Sequence, residues 1–192
     1  GRSWVNEGGL SVEMADFVAR LVRAKANFLV AGETGAGKTT FLRSITDLFD
    51  PSERIGVVED TAELALENPD RFNLETLHPH DLVAGEADTR LLDVGDLVGN
   101  ALRMRPDRLI IGEIRHSKEA YYVLEALNTG HDGPASTIHA SSCVDALARL
   151  ALLTSRALSQ LSPTATRRPI HRLFPPLTLV TRPPPVRRSL LA

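Results

Sequence analysis

The eleven residues Val30–Thr40, VAGETGAGKTT, limit what this chain can fold into more than any other stretch. They follow the apolar run Phe28-Leu29-Val30 and precede an amphipathic segment, so three glycines are packed between a strand and a helix. Gly32-Glu33-Thr34-Gly35-Ala36-Gly37-Lys38-Thr39 fits the pattern G-x-x-x-x-G-K-[ST] in full. Glycine has no Cβ, so the backbone N–H groups of such a loop can turn inward around an anion. A helix starting near Lys38 adds the partial positive charge of its N-terminus. The pattern predicts phosphate binding through Gly32, Thr34, Gly35, Ala36, Gly37, Lys38, Thr39 and Thr40. In that reading Lys38 reaches the β- and γ-phosphates of ATP, and the Thr39 hydroxyl holds Mg²⁺.

The body alternates apolar runs with amphipathic ones. Ala26–Ala31, Ile55–Val58, Leu109–Ile111 and Ser136–Ile138 read as short buried strands, and Val12–Val22, Thr39–Leu48, Lys118–Leu127 and Val144–Leu153 as helices. In the third helix Ala120, Val123, Leu124 and Leu127 share a face, with Ser117 as the expected N-cap and Gly130 after the end. Strands alternating with helices predict an α/β fold, a mostly parallel sheet flanked by helices. No apolar run approaches the roughly 18 residues of a membrane span. Cys143 is the single cysteine, so no intrachain disulfide forms and a reducing cytoplasm fits.

The net charge of −2 hides an asymmetry. Residues 155–192 carry seven arginines, no Asp or Glu, and seven of the twelve prolines. Residues 1–154 carry a net −9. We expect a nucleotide-binding domain over 1–154 and an irregular Pro/Arg-rich tail over 155–192. The acidic body also argues against a groove for a phosphate backbone, so no specific nucleic-acid partner is expected.

Three further stretches end apolar strands with polar groups, where an open parallel sheet forms its ligand crevice. They are RIGVVEDTAEL (Glu59, Asp60), RPDRLIIGEIR (Glu113, Arg115) and NTGHDGPASTIHA (His131, His139). Hydrolysis of a nucleotide needs a carboxylate to polarise water, a metal, and cations or hydrogen-bond donors near the γ-phosphate. Glu113 is the first candidate for polarising water, directly or through the metal, and Glu59 the second. His139 is the candidate donor to the γ-phosphate. Strand-end carboxylates and single histidines are often merely structural; the adjoining phosphate loop gives Glu113 and His139 the stronger case, Asp60 and His131 less. His78, His80 and His116 read as surface residues.

Together, GETGAGKT, VVEDTAEL, LIIGEIR and TGHDGPASTIHA resemble, in order, the Walker A loop, Asp box, Walker B strand and His box of the secretion-system traffic ATPases. The runs NALRMRPDRLIIGEIR and YYVLEALNTGHDG look like the branch serving tight-adherence (Tad/Flp-type) pili, and the likeness extends over about Leu10 to Leu153. The resemblance implies a RecA-like P-loop ATPase domain that works as a homo-oligomeric ring, usually a hexamer. It also implies a cytoplasmic location at the inner face of the cell membrane, against a secretion or pilus platform protein. It makes Glu59 and Glu113 the acidic catalytic pair and His139 the γ-phosphate histidine. Thr39 and Glu113 become the metal residues, and Arg103, Arg105 and Arg115 bridges to phosphate or to a neighbouring subunit.

Three departures are visible. The phosphate loop begins at Gly32 without the family's N-terminal domain before it, so weak ATP binding and slow turnover are expected of the chain alone. Leu77 stands where the family tends to place an arginine, which leaves Arg71 or Arg90 to substitute. The tail is unlike the family's C-terminal subdomain and reads as out-of-frame translation, a basic arm for anionic lipid or an acidic neighbour, or an inert end. The alternatives to a motor are a nucleotide-binding subunit that does not turn over, a nucleic-acid motor and a small-molecule kinase.

Overall fold

A computed structural model describes residues 9–77, 91–128 and 132–161, together with Val5. The described residues form α1 (Val12–Arg23), β1 (Phe28–Gly32), α2 (Lys38–Thr46), β2 (Ile55–Glu59), β3 (Arg71–Glu75), α3 (Val94–Arg103), β4 (Arg108–Ile114), α4 (Ser117–Asn128), β5 (Ala135–His139) and α5 (Cys143–Leu161). The strands pair in the order β1-β5-β4-β2-β3, and every pairing is parallel.

Parallel strands covered on both faces must be apolar throughout, and β1 and β2 are buried at every position. Alternate side chains then feed two cores. Leu29, Ala31, Val58, Leu109, Ile111 and Ile138 pack with α3, α4 and α5. Phe28, Val30, Ile55, Val57, Ile110 and Ala135 pack with α1 and α2. The crossover between β2 and β3 contains no helix; it fills the second core with Leu64 and Leu66 instead.

Helix α3 lies close to α4 because two glycines face it. A Cβ at Gly95 would stand 2.5 Å from Lys118 Cγ, and one at Gly99 3.1 Å from the Tyr122 ring. Lys118 turns this approach into an anchor, donating to Asp93 at 2.9 Å and to Asp96 at 2.7 Å. Asp93 and Asp96 also form the capping box that starts α3.

The N-terminal ends of the strands are tied by a buried pair. Arg108 Nε donates to Glu53 at 2.7 Å and its Nη2 to the Val22 carbonyl at 2.8 Å, while its guanidinium lies 4.4 Å from the Phe49 ring centre. Lys25 approaches the same carboxylate at 3.2 Å. Burial pushes the Glu53 carboxyl up, but Arg108 and then Lys25 outweigh it and hold the group below the ordinary value of 4.5.

The sequence reading differs from this fold in four places. Strand β3 and helix α3 are additional elements. The last helix does not end at Leu153 but continues through the composition break to Leu161, since Ala157 keeps its apolar period and no proline occurs before Pro163. Ser117 is the first residue of α4 rather than its cap. Trp4, His78, His80, Arg90, Gly130, His131 and the chain after Leu161 lie outside the described residues.

Removing Glu53 would leave Arg108 charged and only 3% exposed. Glu53→Ala is expected to lower the unfolding free energy by about 3 kcal/mol. Urea titration at neutral pH measures this, and a loss below about 1 kcal/mol would mean that water already solvates the guanidinium.

Candidate nucleotide site

Strand β1 delivers its last residue, Gly32, to the loop, and Gly37 caps α2. Gly35 and Gly37 take φ of 73° and 84°, the left-handed region that L side chains avoid. Gly37 offers no side-chain cap to the first-turn amides of α2, the condition under which a helix start attracts an anion. A Cβ on Gly32 would stand 3.1 Å from that of Ala36 and 3.3 Å from Lys38 Cγ, so a side chain there would press on the loop. Lys38 Nζ folds back to donate to the Glu33 carbonyl at 3.0 Å.

The loop forms one wall of a cleft of about 800 Å³. Its other walls come from the C-terminal ends of β2, β3 and β4 and from Leu91–Val94. Strand pairing is what brings these together. Gly32 pairs with His139 across β1 and β5, and Thr137 with Glu113 across β5 and β4. The β4–β5 register shifts between Ile111 and Glu113, and the Thr137 hydroxyl bonds the Gly112 carbonyl there at 2.7 Å. Glu113 therefore lies within β4, not beyond its end.

Glu59 is buried where β2 ends and accepts the N–H groups of Glu63 and Leu64, both at 3.1 Å. Burial raises its carboxyl above the usual 4.5. Those two bonds oppose the rise, while the charges of Glu63 and Glu75 add to it. Glu113 accepts from Arg115 Nε at 2.8 Å, and Arg115 Nη1 lies 3.6 Å from Asp60. The bond to Glu113, then its charge, holds the Arg115 guanidinium more firmly protonated than usual. Glu119, buried at the start of α4, accepts the N–H groups of both Arg115 and His116. Burial raises its carboxyl, and the two N–H bonds oppose that.

Thr34–Thr40, Glu59, Asp60, Glu113 and Arg115 thus share one cleft, and His116, read from sequence as a surface residue, also lines it. His139 is exposed and forms no part of the cleft wall, although its backbone adjoins Gly32. Arg103 ends α3 and Arg105 precedes β4, so both lie at the opposite end of β4 from Glu113, a strand length of about 20 Å. They cannot bridge to phosphate in their own cleft. Arg71 begins β3 and donates to the Asn68 carbonyl at 2.9 Å, also at the far edge, so it cannot stand in for Leu77. Leu77 itself lines the cleft and is 60% exposed.

A family model described as type II/IV secretion system protein matches residues 6–175. The chain belongs to the type II/IV secretion system protein family. Its match runs past the composition break at 154–155, which the sequence reading took as the limit of the resemblance. A putative conjugal transfer protein of Mycobacterium tuberculosis is 43% identical over 146 residues, 76% of this chain and 40% of that protein. The type IV secretion system protein VirB11 of Bartonella quintana is 33% identical over 147 residues, 76% of this chain and 39% of its own. The family member described here therefore spans about 40% of the length of these relatives. Among solved structures, the VirB11 ATPase of the Brucella suis type IV secretion system, in complex with sulphate, superimposes with a TM-score of 0.66 and 30% identity. That likeness covers 82% of this chain and 43% of the Brucella protein. The pilus retraction motor PilT with bound ADP gives 0.57 and 25%, over 79% and 40%. The fold of this secretion-family chain is RecA-like.

A raised carboxyl has a defined linkage. The folded Glu59 holds its proton to higher pH than the unfolded one, whose ordinary value is 4.5, so its stabilising effect is full below that value and is lost as pH rises through the folded value. Glu59→Gln is expected to flatten the decline in stability as pH rises from 4.5 toward neutrality. Urea titrations of both proteins across that range measure it; parallel curves would contradict the assignment.

Proposed function

We propose that this chain is the nucleotide-hydrolysing part of an ATP-driven motor for type II/IV secretion or pilus assembly. The observation that carries the reading is the shared cleft: the phosphate loop and Glu113 face one hollow because β1, β5 and β4 pair in parallel. In this reading Lys38, which donates to the Glu33 carbonyl in this structure, would hold the β- and γ-phosphates, and Thr39 and Glu113 would hold Mg²⁺, which would offset the phosphate charge. Glu113 orients the attacking water, with Glu59 as the second acid. His139, beside Gly32, turns to the γ-phosphate, and Arg115 supplies positive charge.

The residues present fit a nucleotide that arrives with a divalent cation. Among the described residues the cleft holds six carboxylates against Lys38 and Arg115. A bare triphosphate would be repelled by such a wall, whereas a metal-bound one brings compensating charge. The names of the relatives, in conjugal transfer and type IV secretion, support the motor class. The runs NALRMRPDRLIIGEIR and YYVLEALNTGHDG support the tight-adherence branch as its finer form. A homo-oligomeric ring, usually hexameric, working at the cytoplasmic face of the inner membrane on a platform protein completes the proposal. No helix among the described residues is long and apolar enough to cross a membrane, in keeping with a peripheral position.

A second reading, a nucleotide-binding subunit without turnover, is favoured by the engagement of Glu113 with Arg115 and by Leu77 at the cleft wall. Two variants separate the readings. Lys38→Ala is expected to weaken Mg-ATP binding at least about 100-fold by calorimetry. Glu113→Gln is expected to keep binding and lose about 10²-fold or more in kcat. Equal phosphate release from parent and Glu113→Gln would establish the non-hydrolysing subunit.

A further inference from the structure

We infer that Glu119 is a positioning residue that parks Arg115 on Glu113 and Asp60. The inference rests on the reading of Glu113 as the group that orients water. Glu119 is 5% exposed, and one of its oxygens accepts two successive backbone N–H groups, those of Arg115 and His116. It stands three residues beyond His116, at the position from which an acidic side chain reaches back over a helix start. Here it reaches one residue further, to Arg115. The backbone from which the guanidinium springs is therefore held by a carboxylate inside the fold, and the orientation of the side chain follows.

From that anchored point Arg115 spans two carboxylates on different strands. It donates to Glu113 on β4 at 2.8 Å and approaches Asp60, just after β2, at 3.6 Å. The Arg115 side chain is 58% exposed, so little packing restrains it; its backbone restraint is what limits the directions it can take. A carboxylate oxygen that already accepts from a guanidinium has one fewer lone pair with which to orient water. The parked pair thus holds Glu113 inactive until another anion competes for Arg115. Lys118, the neighbour of Glu119 in the same turn, points elsewhere, to Asp93 and Asp96. The first turn of α4 thereby has two separable anchors.

Exchange of the Arg115 Nε–H with water, in the ¹⁵N-labelled chain without nucleotide, tests this directly. The resonance is assigned by its loss in Arg115→Lys. Glu113→Gln should speed its exchange, as the accepting charge is gone. Glu119→Ala should speed it at least about tenfold, and Glu119→Gln, which keeps one acceptor oxygen, should lie between. Lys118→Met, which loosens the same helix turn without touching Arg115, should leave it within about twofold. Exchange unchanged in the Glu119 variants, or equally fast in Lys118→Met, overturns the inference. If Glu119→Ala does not fold, Glu119→Gln decides. In turnover, Glu119→Gln should change kcat about tenfold with little change in KM, and no further change when combined with Arg115→Ala. Because the exchange measurement needs no nucleotide, it stands even if the chain hydrolyses nothing; absence of Lys38-dependent ATP binding would refute the motor reading alone.

Discussion

Parallel pairing of β1, β5 and β4 is the constraint on which the site depends. In a parallel sheet all carboxyl ends lie on one edge, so residues far apart in sequence arrive side by side. Gly32 meets His139 in one register and Thr137 meets Glu113 in the next. A slip of one residue would reverse which side chains enter each core. The two cores forbid that slip, because Leu29 and Val30 already serve opposite faces. The geometry of the cleft is thus a consequence of burial on both sides of the sheet, not of contacts within the cleft itself.

The two ends of the sheet treat charge differently. At the amino end, Arg108 and Glu53 are buried together and neutralise one another, with Lys25 at the margin. At the carboxyl end, carboxylates are crowded against each other, and burial raises the carboxyls of both Glu59 and Glu119. The first arrangement resists removal of either partner. The second is an electrostatic load that backbone N–H donors offset in part, and such loads cluster at functional sites. The contrast supports the proposal that the carboxyl edge is the working one, on grounds other than a motif.

Much of this was legible in the sequence, and particular residues show why the rest was not. The four strand cores stand out because strands buried on both faces are continuously apolar, as in IGVV and LII. Strand β3, RFNLE, alternates exposed and half-buried residues at the sheet edge and carries no such run. Helix α3 contains Gly95 and Gly99, which lower helix propensity but are needed where Lys118 and Tyr122 press against it. Thr34–Thr40, Glu59 and Glu113, which line the cleft, are the residues that motifs mark in the sequence. Glu119 was missed because a glutamate in a first helical turn is ordinary until its burial and its two backbone donors are known. The distance of Arg103 and Arg105 from the cleft likewise follows only from the direction of β4.

Glu59 ties the cleft to the core. Its carboxylate holds the backbone of Glu63 and Leu64, and Leu64 is an anchor of the second core. Glu75, at the end of β3, accepts the Ala62 N–H at 2.8 Å in the same loop. A cation entering the cleft would compete for the Glu59 carboxylate, and the loop it restrains leaves β2 at the cleft and returns to the amino edge, where Arg71 starts β3. The oxygen atoms a cation in the cleft would compete for are thus the ones that hold the loop at Glu63 and Leu64.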